Sequence, residues 1–101
     1  MNTKTKQFNK EFEKIKRSIF CRDQFKCQIE GEHEGSLDID HIIPRSLKGG
    51  SNDPQNLIVL CRYHHTLFHL EAMAKKIKQL REILHRKYGY EYNDRFEPVD
   101  N

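Results

Sequence analysis

Apolar residues are few in this chain, 36% of 101 residues against 33% charged. A chain this short buries only about 60% of the surface its unfolded form exposes, so its core is marginal and often needs a staple. Length alone excludes two-domain enzymes, large barrels and dinucleotide-binding folds. No apolar run approaches the roughly 20 residues of a bilayer span. No apolar stretch follows Met1-Asn2-Thr3-Lys4. Neither a membrane segment nor a secretory signal is therefore expected, and the expected compartment is the cytoplasm. Cysteine is scarce and odd in number, with Cys21, Cys27 and Cys61. In that compartment an odd count argues against a disulfide framework and for metal binding or plain burial. No glycine or proline precedes Gly31, so no strong breaker interrupts the start of the chain.

What the chain does have is charge, arranged in blocks. Residues 1–26 and 62–89 are each net +5, residues 27–40 are net −5, and residues 90–101 are net −3. Two basic segments point to a polyanion, or more simply to solvated helix faces. The acidic block ends on Asp40, a candidate metal ligand.

Phe8, Phe12, Ile15 and Ile19 recur at helical spacing, which predicts a helix over about 8–20. Residues 21–34 are irregular and polar. Leu37 to Ile42 alternate apolar and polar, as a half-buried strand does, and Pro44 ends it. Lys48 to Pro54 is dense in turn formers. Leu57-Ile58-Val59-Leu60 reads as a second strand. A helix of roughly 25 residues is predicted from near Arg62, with Leu70, Met73, Ile77, Leu80 and Leu84 as its core stripe and Gly89 as C-cap. The first helix is its expected partner, and the stripe could also support a homodimer. Residues 90–101 lack periodicity and are expected to be partly disordered. The sum is one α+β domain, 1–101, with a small core over about 21–70 (a two-stranded hairpin plus a helix), an N-terminal helix and a helical extension over about 70–89. A hairpin and one helix could not hold a core alone, which again points to a metal staple.

Asp40 and His41 are strand neighbours and point to opposite faces. Asp40 could then bind a metal while His41 acts as a base. His65 and His69 stand four apart on the predicted helix, so both imidazoles share one face, as metal-binding pairs require. A carboxylate with one or two imidazoles suits a divalent metal with open positions. Cys27, Cys61 and His64 form a softer set fit for zinc, with Glu30 or His33 as a fourth ligand. An apolar mini-core of cysteines is the plainer reading. Cys21 reads as a buried small residue, and the Lys75-Lys76-Lys78 run as solvated helix surface. Arg45 and Arg62 are candidate phosphate contacts.

Asp40-His41-Ile42-Ile43-Pro44-Arg45-Ser46, followed by Gly49-Gly50, Asn56-Leu57, Leu60-Cys61 and His64-His65, resembles the HNH endonuclease family over roughly Phe20 to His69. The resemblance implies a ββα-metal finger. It implies His41 as general base, activating water against a phosphodiester, and Asp40 and His65 as ligands of one catalytic metal (Mg, Mn, Ni or Zn). It implies Asn56 as the polar residue that fixes the loop and the histidine, and His69 as the further ligand seen in some members. The usual product carries a 5′-phosphate and leaves a 3′-hydroxyl. Many members hold a structural zinc with two Cys-x-x-Cys pairs, where this chain has Glu30 and His64 at the second positions.

The expected activity is thus metal-dependent hydrolysis of DNA. The alternative is a non-catalytic nucleic-acid-binding or adaptor module that keeps the fold. DNA is the expected partner. A homodimer or a larger packaging, restriction or recombination assembly is the expected further association, and the resemblance to small stand-alone members of the family implies a phage or mobile-element origin.

Overall fold

The computed structural model describes residues 3–93, with side chains from Lys10 onward. The expected role of Phe8 in the first helical stripe and the expected disorder of residues 94–101 fall outside these. Six elements follow one another: α1 (Thr3–Arg22), β1 (Leu37–His41), a 3₁₀ turn (Pro54–Asn56), β2 (Leu57–Cys61), α2 (Arg62–Leu70) and α3 (Met73–Tyr88). The first helix is longer at both ends than its apolar stripe. It ends without glycine, in a turn where Gln24 and Phe25 take left-handed φ of 57° and 53°.

β1 and β2 pair antiparallel, with Leu37 opposite Cys61 and His41 opposite Leu57. All five residues of β2 are buried, because both faces of the hairpin are covered. Leu57 and Val59 pack with Ile19 of α1. Ile58 and Leu60 pack with Phe68 of α2 and with Leu80 and Leu84 of α3. Period-two alternation thus sends neighbouring strand residues to different helices. The α3 stripe finds its partner in the hairpin and α2, on the face opposite α1, and not in α1 as expected. The chain is a small α+β fold, a ββα finger flanked by two further helices.

The long second helix of the sequence reading is two helices. Glu71 (φ −83°, ψ 155°) and Ala72 (φ −61°, ψ 137°) are extended. Neither forces a break, since both favour helix. Tertiary packing does: the turn lays Leu80 and Leu84 on the hairpin and brings Lys76 against Asp40. Leu70 and Met73, expected in the core, flank the elbow and are 81% and 42% exposed. Gly89 caps α3 in the left-handed conformation (φ 74°), as its sequence position predicts. Tyr90 and Tyr92, in the segment expected to be disordered, are docked. His85 Nδ1 donates to Tyr90 O at 2.8 Å, and Tyr92 OH donates to Gln55 O at 3.0 Å.

Asp23 ties the helical and sheet layers together. Its buried carboxylate accepts from Val59 N at 2.9 Å, from Arg22 Nε at 2.9 Å and from Tyr88 OH. Burial, then the bond to Asp23, pushes the Tyr88 hydroxyl up to about 12.

Candidate metal centre and basic histidine

The site is built at the His41 end of the hairpin. Asn56, 1% exposed, closes the loop between the strands. Its Oδ1 accepts from Ile43 N at 2.9 Å, and its Nδ2 donates to Ile43 O at 3.0 Å and to Ser51 O at 2.9 Å. Its main-chain carbonyl accepts from Ile42 N at 2.8 Å. Gly50 makes the loop possible: a Cβ there would stand 2.0 Å from the carbonyl oxygen of Pro44.

His41 is half-buried and held from two sides. Its ring stacks on Phe12 of α1, with centroids 5.8 Å apart. Its Nε2 lies 2.8 Å from Asn52 Oδ1. A carbonyl oxygen only accepts, so in the neutral ring this contact puts the proton on Nε2 and leaves the lone pair on Nδ1.

The next face of β1 carries Asp40, which is 3% exposed. His65 Nδ1 lies 3.7 Å from Asp40 Oδ1, and His65 Nε2 lies 2.9 Å from His69 Nε2. One ligand atom from each of Asp40, His65 and His69 falls within 4.8 Å of the others. α2 supplies both histidines, one turn apart, as the sequence spacing predicts. Asp40 Oδ2 and His65 Nδ1 are buried and make no hydrogen bond. Such atoms are costly without a partner. A carboxylate and two imidazoles, with the buried His65 Nδ1 left without a hydrogen bond, fit a divalent cation.

Lys76, expected on solvated surface, is instead 7% exposed and belongs to this cluster. Its Nζ donates to Asp40 Oδ1 at 3.4 Å and to His41 O at 3.2 Å, and stands 3.1 Å from Asp40 Oδ2 without a hydrogen bond to it. Sequence reasoning missed it because Lys76 sits in a run of lysines on an apparently surface helix. It also missed Phe12 and Asn52 as supports of His41.

A second cluster forms at the other end of the hairpin. His64 Nδ1 lies 3.3 Å from Cys61 Sγ and 3.4 Å from Cys27 Sγ, and all three residues are buried. Two such ligands on one tetrahedral zinc, at about 2.3 Å for sulfur and about 2.0–2.1 Å for nitrogen, stand roughly 3.5 Å apart. Burial raises the Cys27 thiol. Burial would also raise that of Cys61, but main-chain hydrogen bonds from His64 and Glu34 outweigh it and lower the net value. Burial, and then the charge of His33, lowers His64 and favours the neutral ring that ligates metal. Glu30 and His33 are both exposed and both stand outside the group, Glu30 beside Ile83, Arg86 and Lys87. His33 meets His64 edge-on, with centroids 5.4 Å apart. Cys21 is exposed rather than buried.

Arg45 is exposed in the loop just past His41. Arg62 is at the opposite, cysteine end and pairs with Asp38 at 3.7 Å. Among the described residues, no helix is long and apolar enough to cross a membrane.

No curated protein and no solved structure matches the chain significantly. A family model does, that of the HNH endonuclease, over residues 21–71. Those residues run from the end of α1 through both clusters to the elbow after α2. They make up half of the chain and include the Asp40-His41 pair, Asn56 and His65, so the chain belongs to the HNH endonuclease family.

Proposed function

We propose that this chain is a metal-dependent endonuclease that hydrolyses DNA phosphodiester bonds, with His41 as general base and Asp40, His65 and His69 holding one divalent metal. One observation carries the reading. A histidine held with its Nδ1 lone pair free stands next in sequence to a buried carboxylate that faces two histidines. His41 Nδ1 takes a proton from water as its oxygen attacks phosphorus, and the bond to the 3′ oxygen breaks, that oxygen taking its proton from solvent. Asn52 and Phe12 keep the ring in the productive tautomer and orientation. Asn56 keeps the loop, and with it Asn52, in place. Asp40, His65 and His69 would hold a divalent metal, which would supply charge stabilisation at the phosphoryl and leaving oxygens. Arg45 is placed to contact phosphate near His41, and Arg62 is the weaker candidate because it lies at the far end.

The test is supercoiled plasmid incubated with Mg²⁺, Mn²⁺, Ni²⁺ or Zn²⁺, with and without EDTA, beside His41→Ala. Metal-dependent nicking by the natural chain, absent in the variant, is the expected result. Folded protein that binds DNA but cleaves with no metal would favour the non-catalytic module.

At the other end of the hairpin we propose a structural zinc on Cys27, Cys61 and His64, with His33 rather than Glu30 as fourth ligand. Two imidazoles on one tetrahedral zinc have centroids about 5 Å apart, close to the 5.4 Å between His33 and His64. His33 Nε2 donates to the carbonyl of Ile29, so Nδ1 is the nitrogen that would serve as ligand. Zinc retained after dialysis should fall in His33→Ala and stay in Glu30→Ala. The reverse would return the role to Glu30.

A further inference from the structure

We propose that Lys76 is a built-in counter-cation that keeps metal affinity low in the free protein and couples metal binding to the arrival of a phosphate. The inference rests on reading Asp40, His65 and His69 as a metal site.

A lysine ammonium is seldom buried, and when it is, it must be paired. Lys76 is buried, and its contacts are the Asp40 carboxylate and the main-chain carbonyl of His41. It thus bridges the candidate metal ligand and the strand position of the candidate base. It reaches them because the chain turns at Glu71–Ala72, against the helical preference of both residues.

The charge count gives the consequence. The ammonium alone already balances the Asp40 carboxylate. A divalent ion on the same carboxylate and two neutral imidazoles leaves two positive charges in excess, in a partly buried site where repulsion is poorly screened. A phosphodiester beside the ion relieves that excess. Lys76 therefore opposes the metal when no anion is present and opposes it less when one is. By linkage, metal then strengthens phosphate binding by the same factor. A neutral residue in its place would give a site that loads with metal regardless of substrate.

The experiment is calorimetric titration of Ni²⁺ into the natural chain, Lys76→Met, Lys76→Gln and Lys76→Arg. His65→Ala identifies the part of the isotherm that belongs to this site. A His41→Ala background, which should not cleave, allows repetition with a short DNA duplex. Thermal melts check that each variant is folded, and Lys76→Gln, which keeps a donor for the His41 carbonyl, stands in if Lys76→Met is not. Without DNA, loss of the ammonium should tighten Ni²⁺ binding at least ten-fold, and Lys76→Arg should behave as the natural chain does. The duplex should tighten Ni²⁺ binding five-fold or more with lysine present, and clearly less without it. Weaker or unchanged Ni²⁺ binding in a folded Met or Gln variant would overturn the proposal and make Lys76 a brace for Asp40. Ni²⁺ binding that His65→Ala leaves intact would overturn the metal site itself, and this inference with it.

Discussion

The two ends of the hairpin carry metal-ligand clusters of opposite character. At the Leu37–Cys61 end, Cys27, Cys61 and His64 are all buried and face one another. At the other end, Asp40 is buried, His65 half-buried and His69 exposed. The first set is soft and closed, as structural zinc sites are, and the second is hard-to-intermediate and open on one side. α2 serves both, because His64 and His65 are consecutive and point to different clusters. A metal held at one end would therefore orient ligands at the other, because one helix serves both candidate clusters.

Removing the staple is the strongest way to break that contrast. Cys61→Ser should abolish zinc retention. It should also cost at least about 3 kcal/mol, a fall of roughly 12–24 °C in melting temperature for a chain of this size. Nickel affinity at the other cluster should weaken with it, because Cys61 Sγ also accepts from His64 N at the start of α2. A variant that melts like the natural chain would show that the cysteines are only a mini-core.

Asn56→Ala should be next in size. Three side-chain hydrogen bonds to the loop are lost in a buried site, at a cost of about 2–4 kcal/mol in denaturant unfolding. Nicking should fall further than the loss of folded protein explains, because the loop carries Asn52. Equal loss of both would confine Asn56 to stability.

The site was more legible in the sequence than the layers around it. Alternation over residues 37–42 and the spacing of His65 and His69 report directly on strand faces and helix turns, and both are local. The break at Glu71–Ala72 has no local cause, so periodicity ran through it and placed Leu70 and Met73 in a core that turns away from them. Lys76 was misread for the same reason, since only the elbow makes it buried. Asp23 gave no signal at all. A lone aspartate after a helix looks like any turn residue until β2 and Tyr88 are folded against it.

That Asp23 network gives the smallest predicted effect, although it borders the cysteine cluster through Gln28, the neighbour of Cys27, which accepts from Tyr88 OH at 3.3 Å. Tyr88→Phe removes the hydroxyl that donates to Asp23 and should cost about 1 kcal/mol. The Tyr88 pKa is about 12 folded against 10 as the ordinary value. The folded state therefore holds this proton more tightly. Its contribution is complete below pH 10 and is lost as pH rises toward 12. The natural chain should lose more stability than Tyr88→Phe across that window. Parallel curves would show the hydroxyl to be uncoupled from folding. Neither cluster's metal content should change.

The division between base and ligands is tested most directly by measuring nickel binding and plasmid nicking on the same three proteins. The account predicts that the natural chain binds and nicks. It predicts that His41→Ala binds equally but nicks about 10²–10⁴-fold more slowly. It predicts that His65→Ala does neither. Nicking that survives in His41→Ala at the natural rate, or nickel bound equally by His65→Ala, would contradict it.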